Sequence, residues 1–477
     1  MTAERITPDI CVIGAGAAGL SVAAAAAAFG VPTVLIERAE MGGECLHTGC
    51  VPSKALLAAA RHAAPARDGE VFGVHAADVQ VDFAKVQAHV RDVIVQIAPV
   101  DSAERYAALG VRVIRGQARF TDRRTVAVGD AYEIRARRFV IATGSKPAVP
   151  PIPGLDEGPY LTNETVFRLK DLPSQLVVIG AGPVGLEMAQ AFRRLGSHVT
   201  VLEAGEALGR DDPEAAAVVL AALERDGVVI RTGVKVTRVA HAIGHLAVTV
   251  EADGKEDHVG GSHILVATGR KPVTDGLDLK AARIRYDADG IAVNRKLKTS
   301  NRRVYAIGDV AAGQPRFTHA GNHQAGLVIR NALFRLPVRV NALAMPHVIF
   351  TDPELAQTGL TEEQARAQRR KFRILRWPYH DNDRAVAERT PHGHIKILVD
   401  RKARVLGATI VGRNAGELIT SWSMAIAQRL TLRAFTDLVV PYPTLAEIGK
   451  RAAIEFYTPG LTRPMLRRII RVLRIFG

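Results

Sequence analysis

The distribution of apolar and polar residues divides the start of the chain into short elements. From Ile10 to Ile36, 27 consecutive residues carry no charge, a length that could fit a membrane span or a signal peptide. However, glycine or proline interrupts the run at five positions, six of its members are the weakly apolar alanines 23–28, and both flanks are acidic. The pattern therefore predicts a strand, a tight turn, a helix and a second strand.

The same pattern occurs a second time. Residues 9–38 and 175–204 align without a gap, each with an apolar run, a G-x-G-x-x-G sequence, a helical stretch and a second apolar run. In both copies a glutamate follows the last glycine by 18 residues. The residues are Gly14, Gly16, Gly19 and Glu37 in the first copy, and Gly180, Gly182, Gly185 and Glu203 in the second.

Each residue type in this pattern has a physical role in binding a dinucleotide. The first glycine permits the turn, the second lets the backbone approach a pyrophosphate, and the third allows the helix to pack closely on the strand. The pyrophosphate then lies at the positive end of the helix dipole, and the glutamate accepts hydrogen bonds from the ribose. One such sequence could be a simple turn, but two copies in register predict two Rossmann-like nucleotide domains.

Further apolar runs extend this α/β pattern. Each nucleotide unit closes with an apolar strand, 139–142 or 264–267, that continues into Thr-Gly. A long helical pattern covers about 82–109. From about residue 346 strands at 395–399 and 405–411 mix with a helix at 415–429, which predicts a separate third domain.

Composition narrows the class of protein. A chain of 477 residues is too long for one core and predicts about three domains. Three cysteines exclude a disulfide-stapled secreted scaffold and suit a reducing, cytoplasmic location. The formal charge is +15, but no DNA or RNA motif accompanies it, so nucleic acid is not an expected partner.

Two of the three cysteines lie in the segment GGECLHTGCVPSK, residues 42–54. Pro52 and the alanine-leucine run after it predict a helix that begins near Cys50, where the helix N-terminus would lower the thiol pKa. Such a thiol suits a disulfide that opens and closes again. Zinc bound by Cys45, His47 and Cys50 would lack a fourth ligand, since the remaining cysteine, Cys11, lies inside the first strand. An inert buried pair is the other alternative, which the glycine-rich surroundings disfavour; no metal site is predicted.

These motifs resemble the pyridine nucleotide–disulfide oxidoreductases, a family that includes dihydrolipoamide dehydrogenase, glutathione reductase and mercuric reductase. The resemblance covers roughly residues 8–457. It rests on the G-G-x-C-x-x-x-G-C-x-P-S-K signature at 42–54 and on Ala306-Ile307-Gly308-Asp309, which is similar to the family's second FAD motif. It implies two Rossmann-like domains, for FAD and NAD(P)H, and a C-terminal α+β dimerisation domain.

The resemblance also implies boundaries and an assembly. The FAD domain would comprise 1–147 and 271–344, the NAD(P) domain 148–270, the dimerisation domain 345–458, and a basic amphipathic tail 459–477. The protein would be a homodimer in which the C-terminal domain completes the partner's active site. A hydride would pass from the nicotinamide to FAD, and the electrons would continue to the Cys45–Cys50 disulfide and an acceptor.

Individual roles follow from the resemblance in the same way. Cys50 would face the flavin and Cys45 would exchange with substrate, while Lys54 would pair with Glu187 near the flavin. The residues expected to contact FAD are Gly14, Gly16, Gly19, Glu37, Lys54, Gly116, Ala118, Thr143, Gly144, Arg270, Asp309 and His319. Those expected to contact NAD are Gly180, Gly182, Gly185, Glu187, Glu203, Val236 and Gly269. An acid at Glu203 favours the 2′-hydroxyl of NADH over the 2′-phosphate of NADPH.

One position departs from the disulfide-reducing members of the family. They carry His-Pro-Thr-x-x-Glu near the end, whereas this chain has Tyr442-Pro443-Thr444 followed by Glu447. A phenol is a poor base near neutrality, so efficient turnover of lipoamide or glutathione is not expected. Mercuric reductase has a Pro-Tyr at this place, and several other segments resemble it, but this chain has no cysteine after Cys50 for a terminal vicinal pair.

Two polar segments each have two possible interpretations. His380, Asp381 and Asp383 could line a site, although a solvated loop is the favoured interpretation. Residues 463–476 carry five arginines and no acid, and their apolar residues recur near helical spacing. This pattern is typical of a basic amphipathic helix, which could contact an anionic membrane at the inner surface or pack on its own dimer.

The sequence therefore predicts an FAD-dependent oxidoreductase that passes electrons from NADH through Cys45 and Cys50. Tyr442 and Glu447 would shape the place where the electrons pass to the acceptor. The acceptor would be a metal ion, a quinone-like molecule or a small disulfide, as for a mercuric reductase core. The first alternative is a dihydrolipoamide dehydrogenase. The second belongs to another class: a flavin redox sensor or membrane-bound scaffold with little turnover.

Overall fold

The structure is a computed structural model that describes residues 3–75, 79–461 and 464–476. Its strands, numbered in chain order, are β1 Glu4–Ile6, β2 Ile10–Ile13, β3 Thr33–Glu37, β4 Val111–Arg115, β5 Ala118–Phe120, β6 Val126–Val128, β7 Tyr132–Ile134, β8 Arg138–Ile141, β9 Ser145–Pro147, β10 Gln175–Ile179, β11 His198–Leu202, β12 Val229–Arg231, β13 Lys235–Ala242, β14 His245–Ala252, β15 Lys255–Gly261, β16 His263–Val266, β17 Arg270–Pro272, β18 Tyr286–Asp287, β19 Gly290–Ile291, β20 Val304–Ala306, β21 His347–Ile349, β22 Glu354–Gly359, β23 Arg373–Pro378, β24 His394–Val399 and β25 Val405–Gly412.

The helices, numbered in the same way, are α1 Ala17–Ala28, α2 Gly43–His47, α3 Cys50–Asp68, α4 Phe83–Ile97, α5 Ala103–Ala108, α6 Pro183–Leu195, α7 Pro213–Arg225, α8 Thr318–Phe334, α9 Glu362–Ala367, α10 Asp383–Ala387, α11 Ala415–Ala427, α12 Arg433–Thr436, α13 Glu447–Leu461 and α14 Pro464–Leu473. The chain divides into two compact units. The first comprises Met1–Ala204 and Val228–Ala342, and the second comprises Gly205–Gly227 and Leu343–Gly477.

Two parallel sheets in the first unit contain the repeated sequences. The larger has the order β20-β8-β2-β3-β4 and the smaller the order β12-β11-β10-β16. In each, the strand before the glycines lies between the strand that leads to the glutamate and the strand that leads to Thr-Gly. Buried apolar residues fill these strands, as parallel sheets require. The predicted α/β fold with two Rossmann-like sheets is confirmed.

The long helical pattern at 82–109 is not one helix. It forms α4 and α5, and a 3-10 turn, Ala98–Asp101, separates them. Pro99 lacks an N–H and cannot continue the ladder of α4. Ser102 then caps α5 by accepting a hydrogen bond from the N–H of Arg105 at 3.2 Å.

The second unit is built on an antiparallel sheet of order β21-β22-β25-β24-β23, against which α11 and α13 pack. Its core includes Trp422, whose ring stacks on Phe435 with centroids 3.9 Å apart. The strands and helix predicted between 395 and 429 are confirmed within one or two residues. The unit also includes Gly205–Gly227, although the sequence placed this segment inside the NAD(P) domain.

A buried charge network holds α7 on this sheet. The Nζ of Lys396, which is 1% exposed, lies 2.8 Å from Asp212 Oδ2, 3.0 Å from Glu214 Oε1 and 2.8 Å from Glu362 Oε2. A buried ammonium is tolerated only when it is paired in this way. The network explains why the segment belongs with the C-terminal sheet. The predicted domain boundaries after residues 147, 270, 344 and 458 remain predictions.

The last two helices follow the sheet of the second unit. The first of them, α13, continues through the predicted boundary at 458–459 as far as Leu461. The predicted tail begins its basic run at Arg463, which lies outside the described residues; the described part forms α14. Within the described ranges, every helix is too short or too polar to cross a membrane.

Candidate redox and nucleotide site

The first glycine loop has the backbone that a dinucleotide requires. Gly14 has a φ of +103°, and a Cβ there would lie 2.5 Å from the carbonyl oxygen of Ala142. A Cβ at Gly19 would lie 1.9 Å from the carbonyl oxygen of Gly14, so only glycine lets α1 approach β2 this closely. A Cβ at Gly16 would meet no described atom within 4 Å. This open side, at the N-terminus of α1, is where a pyrophosphate fits.

The second loop repeats this geometry. A Cβ at Gly180, with φ of +106°, would lie 2.6 Å from the carbonyl oxygen of Ala267. One at Gly185 would lie 2.0 Å from the carbonyl oxygen of Gly180, whereas one at Gly182 would again meet no atom that the structure describes within 4 Å. Both loops therefore fit a dinucleotide for the same steric reasons.

The glutamates of the repeat lie against their own glycine loops. Glu37 Oε2 accepts a hydrogen bond from the N–H of Ala15 at 2.6 Å, and Glu203 Oε2 accepts one from the N–H of Ala181 at 2.8 Å. Each carboxylate is thus fixed beside the turn, where ribose hydroxyls are expected. Gly116 joins the first of these sites, because its N–H donates to the carbonyl of Glu37 at 2.8 Å.

The segment with the two cysteines packs directly on the first glycine loop. The N–H of Gly42 donates to the carbonyl of Ala15 at 2.9 Å. A Cβ at Gly43 would lie 2.8 Å from the Cα of Gly16. Cys45 lies in α2 and Cys50 is the first residue of α3, as predicted from Pro52. The thiols therefore lie next to the first nucleotide loop.

The environment distinguishes the two thiols, both of which are free. A hydrogen bond from Cys45, supported by Thr318 and by the charge of Lys54, lowers the pKa of Cys50 to about 6, although burial and Glu187 oppose this change. The same hydrogen bond, together with burial, raises the pKa of Cys45. Thr318 Oγ1 lies 3.4 Å from Cys50 Sγ. In the reduced pair Cys50 is therefore the thiolate.

The predicted pair of Lys54 and Glu187 is present. Lys54 Nζ donates to Glu187 Oε2 at 2.9 Å, and the glutamate side chain is only 6% exposed. The pair joins α3, which begins at the redox thiol, to α6, which begins at the second glycine loop. It places a cation beside Cys50 and leaves no uncompensated charge on the buried carboxylate.

A polar network connects the cysteine segment to the second FAD motif. Arg270 forms an ion pair with Glu44, and its Nε lies 2.8 Å from Ser145 Oγ and 3.7 Å from Asp309 Oδ2. Asn163 Nδ2 donates to Glu44 Oε1 at 2.7 Å. Burial raises the pKa of Glu44 against the opposing charge of Arg270. Arg270 and Asp309, which were both predicted to contact FAD, are thereby brought together.

The structure also describes the other residues that were predicted to contact a nucleotide. Thr143 Oγ1 donates to the carbonyl of Val273 at 2.7 Å. The ring of His319 stacks on Phe317 with centroids 5.4 Å apart. The other members are placed by backbone alone: Ala118 is buried in β5, Gly144 and Gly269 have φ of +69° and +132°, and Val236 lies in β13.

In the second unit, Tyr442 has a defined partner. Its hydroxyl donates to Asp383 Oδ2 at 2.8 Å, and Asn382 Nδ2 donates to the carbonyl of Thr444 at 3.0 Å. These bonds join the 382–383 turn to the segment before Glu447, the first residue of α13. The hydrogen bond to Asp383 raises the pKa of Tyr442, so the phenol stays protonated.

The other two members of the predicted polar cluster form no comparable arrangement. His380 Nε2 lies 3.7 Å from Asp381 Oδ1, and both side chains are more than half exposed. Among the residues that the structure describes, no group of three or more histidine, cysteine or acidic side chains could hold a metal ion.

Known proteins resemble this chain over nearly its full length. A family profile described as pyridine nucleotide-disulphide oxidoreductase matches residues 8–325, and the profile of the corresponding dimerisation domain matches residues 345–453. The chain belongs to this family. It is accordingly an FAD-dependent enzyme that uses a pyridine nucleotide and a redox disulfide, and its C-terminal domain indicates a dimer.

Individual relatives differ in the substrate that their names give. A mercuric reductase of Bacillus cereus is 36% identical over 94% of this chain and 71% of its own length. A dihydrolipoyl dehydrogenase of Thermus scotoductus is 37% identical over 92% of this chain and 95% of its own. Among solved structures, the copper(II) complex of the HOCl-induced flavoprotein disulfide reductase RclA from Escherichia coli has a TM-score of 0.82 at 28% identity, and covers 93% of this chain and 98% of that one.

Several polar residues of this family site were not predicted. Glu44 lies inside the cysteine motif but has no predicted role, and Asn163 and Thr318 belong to no recognised motif. Only the polar character of Glu44 beside two cysteines could have drawn attention to it, because its partners are more than a hundred residues away.

We expect alkylation to reveal the asymmetry of the thiols. In the reduced protein, the iodoacetamide reaction of Cys50 should rise with pH and reach half its maximum near pH 6. Cys45→Ala removes the main hydrogen bond and should move this midpoint upward, toward the ~8.5 of an ordinary thiol. Peptide mass spectrometry would measure the modified fraction of each cysteine.

Cys11 provides the internal control, because burial raises its pKa and should keep it unmodified throughout. If Cys45 reacted first, or if Cys45→Ala left the Cys50 midpoint unchanged, the assignment of the thiolate would be wrong.

Proposed function

We propose that this enzyme passes electrons from a reduced nicotinamide dinucleotide, preferably NADH, through Cys45 and Cys50 to a metal ion or small oxidant. In this respect the proposed function is like that of the core of a mercuric reductase. The observation that carries the proposal is the hydrogen bond from Tyr442 to Asp383 at 2.8 Å, at the place where disulfide-reducing relatives are expected to have a histidine.

The need to deliver a proton to the substrate explains why the residue at position 442 would discriminate between acceptors. Reduction of a disulfide substrate releases a thiolate that must be protonated, a task for an imidazole with a pKa of about 6.5. Tyr442 is already a donor to Asp383, and that bond raises its pKa. It is therefore a poor proton shuttle near neutrality, whereas reduction of a metal ion needs thiolates and no such shuttle.

The cysteine pair supplies both the electrons and the ligands. When bound, FAD would relay the two electrons of a nicotinamide hydride to the Cys45–Cys50 disulfide. The resulting pair, with Cys50 as a thiolate and Cys45 as a thiol, returns to the disulfide by releasing two electrons and one proton. Cys50 is held as a thiolate by Cys45, Thr318 and Lys54, and thiolates are the ligands that soft metal ions prefer. A metal ion that binds both sulfurs displaces the proton of Cys45.

The relatives supply arguments in both directions. Relatives named mercuric reductase, and the copper(II) complex of a similar flavoprotein disulfide reductase, support a metal ion. A relative named dihydrolipoyl dehydrogenase, of similar identity, supports lipoamide as the alternative acceptor. A flavin redox sensor with little turnover is the alternative of another class, and rapid NADH oxidation with any acceptor would contradict it.

A substitution at residue 442 tests which acceptor the enzyme uses. Purified, FAD-loaded protein should oxidise NADH faster with mercuric or cupric ions, or with a short-chain quinone, than with lipoamide or glutathione disulfide. Tyr442→His restores an imidazole and should raise kcat/KM for lipoamide by about 10- to 100-fold. Stopped-flow absorbance of NADH would measure each rate.

Tyr442→Phe is the matched control, because it removes the hydroxyl without adding a base and should leave lipoamide turnover low. Cys50→Ser should abolish turnover of every acceptor that depends on the thiols. A high lipoamide rate in the unaltered protein would instead identify a dihydrolipoamide dehydrogenase with a different proton shuttle.

The preference for NADH rests on Glu203. Its carboxylate is bound to the N–H of Ala181 beside the second glycine loop, where it can accept a ribose 2′-hydroxyl and would repel a 2′-phosphate. Glu203→Gln removes this repulsion and should raise the ratio of kcat/KM for NADPH to that for NADH by about tenfold. The ratio should not change in Glu224→Gln, which removes an exposed charge from α7. An unaltered ratio in the Glu203 variant would exclude this residue as the selector.

We further propose that α14 contacts anionic lipid. Met465, Ile469, Val472 and Leu473 share one face of α14 at helical spacing and are all exposed, as is Phe476 after the helix. The opposite face carries Arg467, Arg468 and Arg471, and Arg474 follows the helix. Complete separation of apolar and basic residues is typical of helices that lie in a membrane interface. A lipid-soluble acceptor would then be accessible to the enzyme.

Vesicle sedimentation tests this contact. The holoenzyme should sediment with vesicles that contain phosphatidylglycerol and not with pure phosphatidylcholine, and binding should weaken by about fivefold for each α14 arginine changed to glutamine. A control with four exposed arginines elsewhere, Arg369, Arg370, Arg401 and Arg429, changed to glutamine should bind normally. If vesicles do not bind and the α14 variant alters the oligomeric state, the helix packs on the dimer.

A further inference from the structure

A dense group of arginines lies on the first unit, away from the nucleotide loops. The turn between β5 and β6 carries Arg123 and Arg124, Arg135 follows β7, Arg283 ends a turn before β18, and Arg303 precedes β20. The first four of these arginines line an open depression of about 500 Å³, together with Thr121 and Thr125. The group is defined by these five arginines and is called the arginine depression below.

A buried asparagine holds three of these loops together. Asn301, which is 3% exposed, donates through Nδ2 to the carbonyl of Arg123 at 3.0 Å and to the carbonyl of Ala282 at 3.1 Å. Its Oδ1 accepts from the N–H of Arg303 at 3.1 Å. The cationic loops are thus fixed by a side chain beneath them rather than by ion pairs between them, so the depression is preorganised.

The acids at the depression do not neutralise it. Asp122 accepts from the N–H of Arg124 at 2.6 Å and from the hydroxyl of Thr125 at 3.0 Å, and Glu133 lies 3.5 Å from Arg5. Among the described residues, no carboxylate forms an ion pair with any of the five arginines. Loss of hydration and the surrounding positive charges lower the pKa of Arg303.

The position of the group separates it from the FAD site. Arg138 and Arg303 lie at the amino ends of β8 and β20, which run parallel. The carboxyl ends of the same strands lead to Thr143 and Asp309, which belong to the nucleotide site. The arginine depression therefore lies at the opposite edge of this sheet and cannot be explained by FAD binding.

We propose that the arginine depression binds a multivalent phosphate anion, such as a polyphosphate chain or the triphosphate of a nucleotide. Guanidinium groups bind phosphate oxygens in pairs, and several fixed around one concave surface favour a ligand with several charges. The volume suits a ligand of nucleotide size. A bound polyanion would also remove the repulsion among the five arginines, which gives binding a stabilising effect on this unit.

The test uses the FAD-loaded enzyme with inorganic tripolyphosphate, ATP and sulfate at equal ionic strength. Calorimetry should give one tripolyphosphate site per chain, and the thermal midpoint should rise with ligand concentration. Arg124→Gln with Arg283→Gln should weaken binding by about tenfold per arginine. Without ligand, this double variant should unfold at the same or a higher temperature, because it removes like-charge repulsion, and its NADH oxidation should be unchanged.

Arg369→Gln with Arg401→Gln provides the charge-matched control and should bind as the unaltered protein does. Tighter binding of ATP than of tripolyphosphate would identify a nucleotide as the ligand, and the reverse order a polyphosphate chain. Equal stabilisation by sulfate, or equal binding by the two double variants, would show general screening of charge and overturn the proposal. Because NADH oxidation is measured separately, failure here leaves the redox function untouched.

Discussion

The close packing of the cysteine segment on the first glycine loop is the constraint on which the site depends. A side chain at Gly43 would collide with Gly16, and the N–H of Gly42 is bonded to Ala15. The cysteine segment can approach the loop this closely because Gly43 lacks a Cβ. The approach brings the thiols to the loop whose backbone fits a pyrophosphate.

Two helices carry the charged groups that lie next to the thiols. The redox helix α3 begins at Cys50 and carries Lys54 one turn later, and Lys54 is held by a buried glutamate on α6, which starts at the second glycine loop. One ion pair thus joins the redox helix to the helix of the second glycine loop. The same lysine contributes to the low pKa of Cys50. Two chemically identical thiols differ in pKa because their surroundings differ.

A separate feature of the structure is the fixed position of a phenol in the second unit. The phenol of Tyr442 is bonded to Asp383, and the turn that carries this acid is tied to the Tyr442 segment by Asn382. These bonds fix the Tyr442 hydroxyl as a hydrogen-bond donor within the second unit. Under the proposed function, the acceptor would be selected by what the residue at 442 can do with a proton.

The sequence alone determined the nucleotide units, the cysteine pair and the helix that starts at Cys50, because each depends on local chemistry: glycines where a Cβ cannot fit, proline in a first turn, and periodic apolar residues. Only the tertiary structure brought Glu44 to Arg270 and Cys50 to Thr318, across 226 and 268 residues of chain, respectively. It also placed Gly205–Gly227 with the C-terminal sheet through the buried Lys396, and Arg123 beside Arg303 through Asn301. Such contacts leave no periodic or local signal, since polar residues far apart in sequence become partners only when the packing of strands and helices brings them together.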